Sequence, residues 1–328
     1  MIMTRTPLRI SLGGGGTDLP SYYRQHGGFV ISAAISKYVY IAIHKSFLPG
    51  YFLKYSETEH ADARSEIRHP LIREAIELHD VPKPLEIISM ADVPAGTGLG
   101  SSGAFLVGLT HALHAFKRES VTPDLLAREA IDIEMVRLDE PVGKQDHYIA
   151  AYGGILCQEY HQDDRVTVEP LKIADEAIRE LRDSLMLFFV GHTRNASTLL
   201  SDQRTRSQVG DTEMLDSLHF IKQLGREIRN VLESGDAAHF GRLMHEHWMR
   251  KRRRSAAMSS THIDELYDLA RNEGGVTGGK LVGAGGGGFF LFQTEDRRRL
   301  RDVMTRTGLS EMDFTFDFDG SVVLIRNS

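Results

Sequence analysis

Cysteine is almost absent from this sequence, and so are long apolar runs. The single cysteine, Cys157, excludes a disulfide framework within the chain and indicates a reducing compartment. No apolar run approaches the roughly 20 residues that cross a bilayer. The opening residues, MIMTRTPLRISL, lack the apolar core and the small-residue cleavage site of a signal peptide. These absences predict a soluble, cytoplasmic protein with no membrane partner.

An excess of positive charge is also missing. The sequence has 39 Lys and Arg residues against 45 Asp and Glu residues, a formal net charge of −6 over 328 residues. General affinity for nucleic acid would require the opposite balance, so we expect no nucleic-acid partner. Internal repeats are lacking as well. The length suffices for a substantial core and favours two domains.

Glycine, in contrast, is abundant and clustered. Three glycine-rich loops occur: SLGGGGTDLP (11–20), AGTGLGSSG (95–103) and KLVGAGGGGF (280–289). One such loop is often only a turn, but three in one chain suggest a backbone that approaches a ligand in several places. The third loop precedes the strand-like FFLFQ, so it could equally serve to let another segment pack closely.

The second loop contains Gly98, Gly100 and Gly103 in the G-x-G-x-x-G spacing of dinucleotide-binding proteins. A strand pattern precedes it and a helix pattern, AFLVGLTHALHAF, follows it. A dinucleotide fold would next require a strand that ends in an acidic residue. A second helix pattern, TPDLLAREAIDIEMVRLD, stands there instead, with Thr122 as its N-cap. This order excludes the NAD interpretation.

The same loop is suited to binding phosphate, because a helix N-terminus offers unpaired N–H donors and a partial positive charge. Of the paired hydroxyls Ser101 and Ser102, one could bond phosphate and the other could ligate Mg²⁺. A purely structural turn explains the glycines but not both serines. No lysine follows, so the loop is not a Walker A motif, and in GGVTGGKL (274–281) Lys280 is followed by leucine rather than by a hydroxyl residue.

Several charged residues have two possible roles. In the first glycine loop, Arg9, Thr17 and Asp18 could grip a polyhydroxylated substrate, although Asp18 could also cap the following turn. Glu134 could ligate a hard cation or simply face solvent. Asp146 could be a base that accepts the proton of an attacking hydroxyl, its ionised form favoured by Lys144, or could merely cap a helix.

The histidines and the basic run give weaker signals. His111 and His114 have no third ligand near them in the sequence, so we expect hydrogen-bonded rather than metal-bound roles. Residues 251–254, KRRR, end a predicted helix, where cations suit the negative helix pole on a solvated face.

Periodicity predicts a mixture of strands and helices. Helices are expected over 103–117, 122–139, 213–233, 236–253, 262–273 and 295–306, and the strand-like SLMLFFVGH, FFLFQ and SVVLIR are expected in the second half. This order favours an α+β protein of two lobes. The polar stretch around 160–177 is the predicted boundary, which gives domains of residues 1–170 and 171–328.

Taken together, these motifs resemble those of the GHMP kinases. PAGTGLGSSGA resembles the phosphate-binding motif of that family, with Gly103 where the family usually has alanine. TPLRISLGGGGTDLPSYY resembles its first motif and KLVGAGGGGF its third, in the family's order and over most of the chain.

The resemblance implies a two-lobe α+β fold with ATP and substrate in the cleft between the lobes. It implies Asp146 as catalytic base, Arg9 near the transferred phosphoryl group, and Ser102 and Glu134 as Mg²⁺ ligands. The implied ATP-binding residues are Pro94, Gly96, Gly98, Leu99, Gly100, Ser101, Ser102 and Gly103, and the implied substrate-binding residues are Thr17, Asp18, Gly285, Gly286, Arg194 and Lys144.

Within the family, galactokinases carry a Glu-His pair that GGGGTDLP lacks. SLGGGGTDLPSYY, GKQDHYIAAYGG, GHTRNAS and WMRKRRR instead resemble the branch that phosphorylates the anomeric hydroxyl of D-glycero-D-manno-heptose 7-phosphate for nucleotide-activated heptose synthesis. A kinase of an unphosphorylated sugar such as fucose, and a non-catalytic sugar or ATP sensor, stay open alternatives. A sugar phosphate requires an extra cationic site, for which Arg194, Lys144, Lys280 and residues 251–254 are candidates.

Overall fold

A computed structural model describes residues 1–191, 196–254 and 258–326 of the chain. It contains two β-sheets with helices packed around them. The strands of the first sheet are β1 (Ile2–Gly13), β2 (Gly28–His44), β3 (Tyr51–Lys54), β4 (Thr58–Ala61), β5 (Leu85–Ala91), β6 (Ile155–Tyr160), β7 (Val166–Pro170) and β12 (Val322–Arg326). Those of the second are β8 (Leu185–Phe189), β9 (Val276–Leu281), β10 (Phe289–Thr294) and β11 (Ser310–Met312).

The helices flank both sheets. They are α1 (Pro20–His26), α2 (Pro70–Leu78), α3 (Ser101–Phe116), α4 (Pro123–Ile131), α5 (Gln145–Tyr152), α6 (Asp175–Ser184), α7 (Ala196–Gln208), α8 (Thr212–Glu233), α9 (Ala237–Lys251), α10 (Thr261–Asn272) and α11 (Arg297–Arg306). A short 3₁₀ turn covers Arg64–Glu66. The α+β prediction is confirmed. In the described part of the chain, no helix combines the length and the apolar character needed to cross a membrane.

The first sheet is organised around the long strand β2. One edge of β2 pairs along β1, and its other edge pairs with β6 in its first half and with β5 in its second half. The far edge of β1 pairs with β12, so that Ile2 lies opposite Arg326. The strand predicted at SVVLIR is confirmed as β12, but it completes the first sheet rather than pairing with the other strands of the second half of the chain. The domain boundary at residue 170 stays a prediction.

Helix α3 crosses β1 and β2, and this contact carries the phosphate-binding sequence into place. Gly108 of α3 lies so close to β1 that a Cβ atom there would be 2.7 Å from Thr6 Oγ1, and its carbonyl accepts a hydrogen bond from Thr4 Oγ1 at 2.9 Å. Leu106 and Leu109 are fully buried. Burial of each such side chain contributes about 1.5–3 kcal/mol, so the direction of α3 is firmly set by packing.

The predicted helix 122–139 is not one regular helix. It begins at Thr122, whose side chain accepts a hydrogen bond from Leu125 N as the N-cap, but the α-helix ends at Ile131 and continues as a π-helical segment over Asp132–Arg137. A π turn adds a residue to the turn and rotates the side chains that follow. Within it, both Ile133 and the charged Glu134 are buried.

Candidate active site

A cavity of about 1010 Å³ is lined by residues of both sheets and bordered by all three glycine-rich loops. Ten of the residues proposed from the sequence line it: Arg9, Asp18, Pro94, Gly96, Gly98, Gly100, Ser101, Ser102, Glu134 and Asp146. The cavity therefore brings together the second glycine loop with Arg9 and Asp146, which are 137 positions apart in the chain. The functional roles of these residues stay predictions.

The second glycine loop delivers the N-terminus of α3 to the cavity. Gly100 is its N-cap with φ +75°, and no side chain caps the helix. Gly98 also has a positive φ, and a Cβ there would be 2.6 Å from the carbonyl oxygen of Val282. Only glycine fits this backbone at low cost. Because the first turn of α3 lacks a side-chain cap, its N–H groups can receive an anion.

The third glycine loop packs closely against the second, and its residues Gly283 and Ala284 line the cavity. A Cβ on Gly283 would be 2.6 Å from Gly98 Cα, and a Cβ on Gly288 would be 2.1 Å from Thr97 O. Gly285 and Gly286 do not line the cavity; Gly286 N donates to Met258 O at 2.9 Å. Close backbone packing, the alternative open from the sequence, is what these contacts show.

Asp146 lies in the first turn of α5, directly opposite the start of α3. The Arg9 guanidinium donates to its carboxylate through Nε at 2.6 Å and Nη2 at 2.8 Å. The N-cap of α5 is Lys144, and Asp146 is bound by Arg9 rather than acting as the cap. Lys144 does not face the cavity: its Nζ lies 4.8 Å from the Tyr23 ring centroid and 3.7 Å from Asp164 Oδ1. The cation bonded to Asp146 is therefore Arg9.

Two glycines of α3 and its cap make room for Asp146. A Cβ on Gly100 would be 3.1 Å from Asp146 Oδ2, and a Cβ on Gly103 would be 2.8 Å from Asp146 Cβ. Gly103 itself is buried and does not line the cavity, as is also true of Leu99. The glycine that departs from the usual family motif is thus the point where α3 and α5 touch.

Asp18 and Thr17 hold the first glycine loop. Asp18 accepts hydrogen bonds from Gly16 N and Gln145 N, both at 3.1 Å. Burial raises the pKa of its carboxyl group, and the negative charge of Asp146 raises it further. Thr17 does not line the cavity; its hydroxyl donates to Gly14 O or Phe29 O and accepts from Phe29 N. Thr17 therefore stabilises the backbone of the first glycine loop from outside the cavity.

Glu134 reaches the cavity from the π-helical segment. Its Oε2 lies 2.6 Å from Nε2 of the buried His147 on α5, which fixes the direction of the carboxylate. Ser102 lines the same cavity from the first turn of α3. A carboxylate and a hydroxyl are the oxygen donors that Mg²⁺ takes together with nucleotide phosphates, so these two residues fit such an ion.

Three buried cations face the cavity without an ion-pair partner in the described part of the chain: Lys251, Arg254 and Lys280. Lys251 Nζ donates to Gly283 O at 2.5 Å, and Lys280 Nζ donates to Leu12 O at 3.1 Å. Burial lowers the pKa of Lys251 to about 7, with the charges of Arg254 and Arg9 adding to the effect. Burial likewise lowers the pKa of Arg254 to about 10 and places that of Lys280 well below its usual range.

The three cations lie near one another and near Arg9. The charge of Lys251 interacts with those of Arg254 and Arg9, and the charge of Lys280 with those of Lys251 and Arg9. Arg254 lies beside the first glycine loop: its Nη1 donates to Gln203 Oε1 at 3.0 Å, and Gln203 Nε2 donates to Gly16 O at 2.8 Å. Its Nη2 is buried with no hydrogen-bond partner among the described residues. Unmade hydrogen bonds of this kind cost about 1–3 kcal/mol each, which an anionic ligand would recover.

For the basic run 251–254, the sequence leaves open both a solvated helix end and a cationic site for a substrate phosphate, and the solvated alternative is wrong for Lys251 and Arg254. Lys251 and Arg254 are buried, 8% and 4% exposed, whereas Arg253 is exposed. Residues three apart lie on the same face of a helical turn, and this spacing was the available signal. Arg194, the first candidate for holding a substrate phosphate, lies outside the described residues.

Part of the cavity lining is apolar and aromatic. His69 and Phe105 stack with ring centroids 5.4 Å apart, and Tyr55 meets the His69 ring edge-on at 4.6 Å. Met90, half exposed, lines the same cavity. The cavity lining thus includes both an apolar, aromatic surface and buried cations.

Comparison with known proteins agrees with this geometry. Residues 68–154 match the family model "GHMP kinases N terminal domain", and residues 227–308 match "GHMP kinases C terminal". The chain is 28% identical to a D-glycero-alpha-D-manno-heptose 7-phosphate kinase of Campylobacter jejuni, over 97% of each protein.

The chain is also similar to solved structures of sugar kinases. A crystal structure described as a D-glycero-D-manno-heptose 1-phosphate kinase of Bacteroides thetaiotaomicron superposes with a TM-score of 0.81 at 26% identity, covering 100% of both chains. A putative sugar kinase of Campylobacter jejuni superposes with a TM-score of 0.78 at 26% identity, covering 98% of this chain and 97% of the other.

Proposed function

The chain belongs to the GHMP kinase family and is an ATP-dependent kinase of a small molecule, and we propose that its acceptor is the anomeric hydroxyl of D-glycero-D-manno-heptose 7-phosphate. The product would be a heptose 1,7-bisphosphate that supplies the synthesis of nucleotide-activated heptose. The similarity to a heptose 7-phosphate kinase over nearly the full length of both proteins supports a heptose as the sugar.

The observation that carries the proposal is the buried cation Arg254, which lines the cavity and has no ion-pair partner among the described residues. An uncharged sugar needs hydrogen-bond donors and acceptors but no buried positive charge. Arg254, with a buried Nη2 that has no partner among the described residues, is suited to a phosphate oxygen. Charge-assisted hydrogen bonds of this kind are roughly twice as strong as neutral ones. We assign Arg254 to the 7-phosphate, and Lys251 and Lys280, near Arg9, to the transferred phosphoryl group.

The transfer itself needs alignment and charge neutralisation more than covalent chemistry. Asp146 would accept the proton of the anomeric hydroxyl while the sugar oxygen bonds to the γ-phosphorus and the bond to the ADP oxygen breaks. Arg9 would orient Asp146 through its two hydrogen bonds. The N-terminus of α3 would bind the phosphates of ATP, with the aromatic wall of His69 and Phe105 against adenine.

A magnesium ion would be held by Ser102 Oγ and the Glu134 carboxylate. Bound there, Mg²⁺ supplies positive charge that shields the triphosphate during transfer. His147 positions Glu134 for this role through its hydrogen bond to Oε2.

The proposal is tested by measuring ATP consumption with four acceptors: heptose 7-phosphate, heptose 1-phosphate, the free heptose and L-fucose. We expect kcat/KM for heptose 7-phosphate to exceed that for free heptose by orders of magnitude, because a gripped remote phosphate aligns the reacting end of the sugar. Phosphorus NMR of the product identifies the hydroxyl that has reacted.

The variant Arg254→Gln should remove most of the preference for heptose 7-phosphate while leaving the slow reaction of free heptose intact. Arg253→Gln is the matched control, because Arg253 is the exposed neighbour and does not line the cavity. Faster turnover of fucose or of heptose 1-phosphate would refute the acceptor but not the kinase. Failure to consume ATP with any sugar would favour the non-catalytic sensor.

A further inference from the structure

A second cluster of polar side chains lies at the far end of α3, away from the cavity. It joins three helices: His79 follows the C-terminus of α2, His114 lies in the last turn of α3, and Glu129 lies on α4. One ligand atom from each of these three residues lies within 4.8 Å of the others. None of the three lines the cavity of the candidate active site.

His114 is held between two carboxylates. Its Nδ1 lies 2.7 Å from Glu119 Oε2, and its Nε2 lies 2.7 Å from Glu129 Oε2. Both carboxylates are hydrogen-bond acceptors. If Nδ1–H donates to Glu119, the neutral ring directs a lone pair from Nε2 at an oxygen of Glu129. That arrangement requires a positive particle between the two atoms, which is either a proton or a metal ion.

His79 distinguishes these two possibilities. It is 5% exposed, and its Nε2 is buried with no hydrogen-bond partner in the described part of the chain. This Nε2 lies 3.8 Å from Glu129 Oε2, and the His79 ring meets the His114 ring edge-on at 4.8 Å. A proton on His114 alone leaves Nε2 of His79 unsatisfied, whereas a shared metal ion would bind both nitrogens.

We propose that His79 Nε2, His114 Nε2 and the Glu129 carboxylate bind a divalent transition metal, with Zn²⁺ the ion that their chemistry suits best. Two imidazoles and one carboxylate are a common set of zinc ligands, at about 2.0–2.2 Å from the metal. Such bond lengths need ligand atoms roughly 3.3–3.5 Å apart. The 2.7 Å between His114 and Glu129 must therefore open by about 0.6–0.8 Å, and the 3.8 Å between His79 and Glu129 must close by about 0.3–0.5 Å. The third pair, His79 and His114, lies within 4.8 Å and must close by up to about 1.5 Å. Glu119 orients His114 in the way that carboxylates orient metal-bound histidines.

The site has a route to solvent and is remote from phosphoryl transfer. The side chains of Glu129 and Glu119 are 20% and 42% exposed, so an ion can enter and a water can complete the coordination. Along α3, His114 lies about 20 Å from Ser101 at roughly 1.5 Å per residue. The metal would therefore tie α2, α3 and α4 together and stabilise the folded chain by mass action.

The test uses the full chain stripped with a chelator and titrated with Zn²⁺ alone by calorimetry. We expect one site per chain that is at least tenfold weaker in Glu129→Gln and in His79→Gln, with a rise in Tm on adding Zn²⁺ that both variants lose. The matched control is His111→Gln, one turn before His114 on α3, whose Nδ1 is bonded to Ser321 Oγ rather than to the cluster. Binding of Co²⁺ should give visible absorption bands of a four-coordinate ion in wild type and in His111→Gln only.

Equal Zn²⁺ affinity in wild type and in His79→Gln would overturn the proposal, since it would place the bound ion elsewhere among the histidines. Absence of a stoichiometric site in the wild type would do so as well and would leave His114 as an imidazolium between two carboxylates. If Glu129→Gln does not fold, His79→Gln alone decides. Kinase activity at saturating Mg²⁺ should differ little between the stripped and the Zn²⁺-loaded wild-type protein.

Discussion

Arg9 of β1 and Asp146 of α5 face each other through two nearly parallel hydrogen bonds of 2.6 and 2.8 Å. The third guanidinium nitrogen of Arg9, Nη1, donates to Gly98 O at 2.5 Å. One side chain therefore ties the proposed base to the phosphate-binding loop. A guanidinium that holds a carboxylate at two points fixes the plane of the carboxylate as well as its charge.

Replacement of Asp146 tests its assignment as the base. Asp146→Asn keeps the size of the side chain but cannot take up the substrate proton, so we expect kcat to fall by at least roughly 10²-fold. The affinity for ATP, measured by calorimetry, should change little. The control Asp164→Asn removes a carboxylate that is bonded to Arg24 and Tyr23 outside the cavity, and should leave kcat near wild type. A loss of Tm in Asp146→Asn that accounts for the loss of activity would instead indicate a structural role.

Glu134→Gln tests the metal assignment. The amide is a weaker ligand for Mg²⁺ than the carboxylate, so the concentration of Mg²⁺ that gives half-maximal activity should rise while the circular dichroism spectrum stays unchanged. Glu140→Gln is the comparison, because Glu140 lines the same cavity but is exposed. Wild-type activity of Glu134→Gln at limiting Mg²⁺ would remove Glu134 from the metal site.

The lowered pKa of Lys251 predicts opposite effects of pH on ATP affinity and on stability. Below about pH 7 Lys251 is charged and attracts phosphate. Above about pH 7 the free protein must take up a proton in order to bind ATP. The affinity for ATP should therefore fall by up to roughly tenfold per pH unit. Stability of the ligand-free protein should rise between about pH 7 and the ordinary lysine pKa, because the unfolded chain then binds the extra proton. The charges of Arg254 and Arg9 oppose that of Lys251. Lys280 and His247 also lie near Lys251, whose charge lowers the pKa of each of them.

Calorimetry of ATP binding and thermal unfolding from pH 7 to 9 measure the two slopes. Lys251→Arg keeps its charge over this range and should flatten the binding slope, whereas Lys251→Met should weaken binding at pH 7 and raise the Tm of the ligand-free protein. Parallel pH slopes of affinity and Tm in the wild type would contradict the assignment.

Gly103→Ala tests the contact between α3 and α5. Alanine favours a helix by about 1 kcal/mol over glycine, but its Cβ would lie 2.8 Å from Asp146 Cβ and push the proposed base out of line. We expect kcat to fall by roughly tenfold or more, since small misplacements are costly in catalysis. Gly108→Ala meets Thr6 Oγ1 at 2.7 Å on the same helix and controls for steric strain. Equal effects of the two substitutions on kcat would show that the position of Asp146 is not the cause.

The local features of this fold could be predicted from its sequence, because they depend on neighbours in the chain. Periodicity predicts the bounds of α8 to within one residue, and the glycine-serine loop indicates where α3 begins. The π-helical segment could not be predicted, since it arises from packing that buries Ile133 and Glu134 together. Nothing in the local pattern of SVVLIR distinguishes an edge of the first sheet from an edge of the second.

For the candidate site, too, the sequence predicted local features but not the contacts between residues far apart in the chain. The glycine motifs indicate the backbone around the ligand. For Asp146, the sequence favours the nearby Lys144 as the positively charged partner, whereas the structure shows Arg9, 137 residues away. Lys280 sits in a glycine-rich strand among buried residues, and a lone charge in such a strand is a signal for function. His114 lacked a third ligand in the sequence because His79 and Glu129 approach it only after three helices pack together.

The pairing of β12 with β1 constrains the order in which the protein can be assembled. The two strands are hydrogen-bonded along one edge, yet almost the whole chain is synthesised between them. A nascent chain on the ribosome therefore carries β1 with an open edge until β12 emerges, and open strand edges invite pairing with other chains. Truncations that remove only residues 322–326 should leave the proposed ligand-contacting residues intact but expose that edge, with aggregation during expression as the consequence.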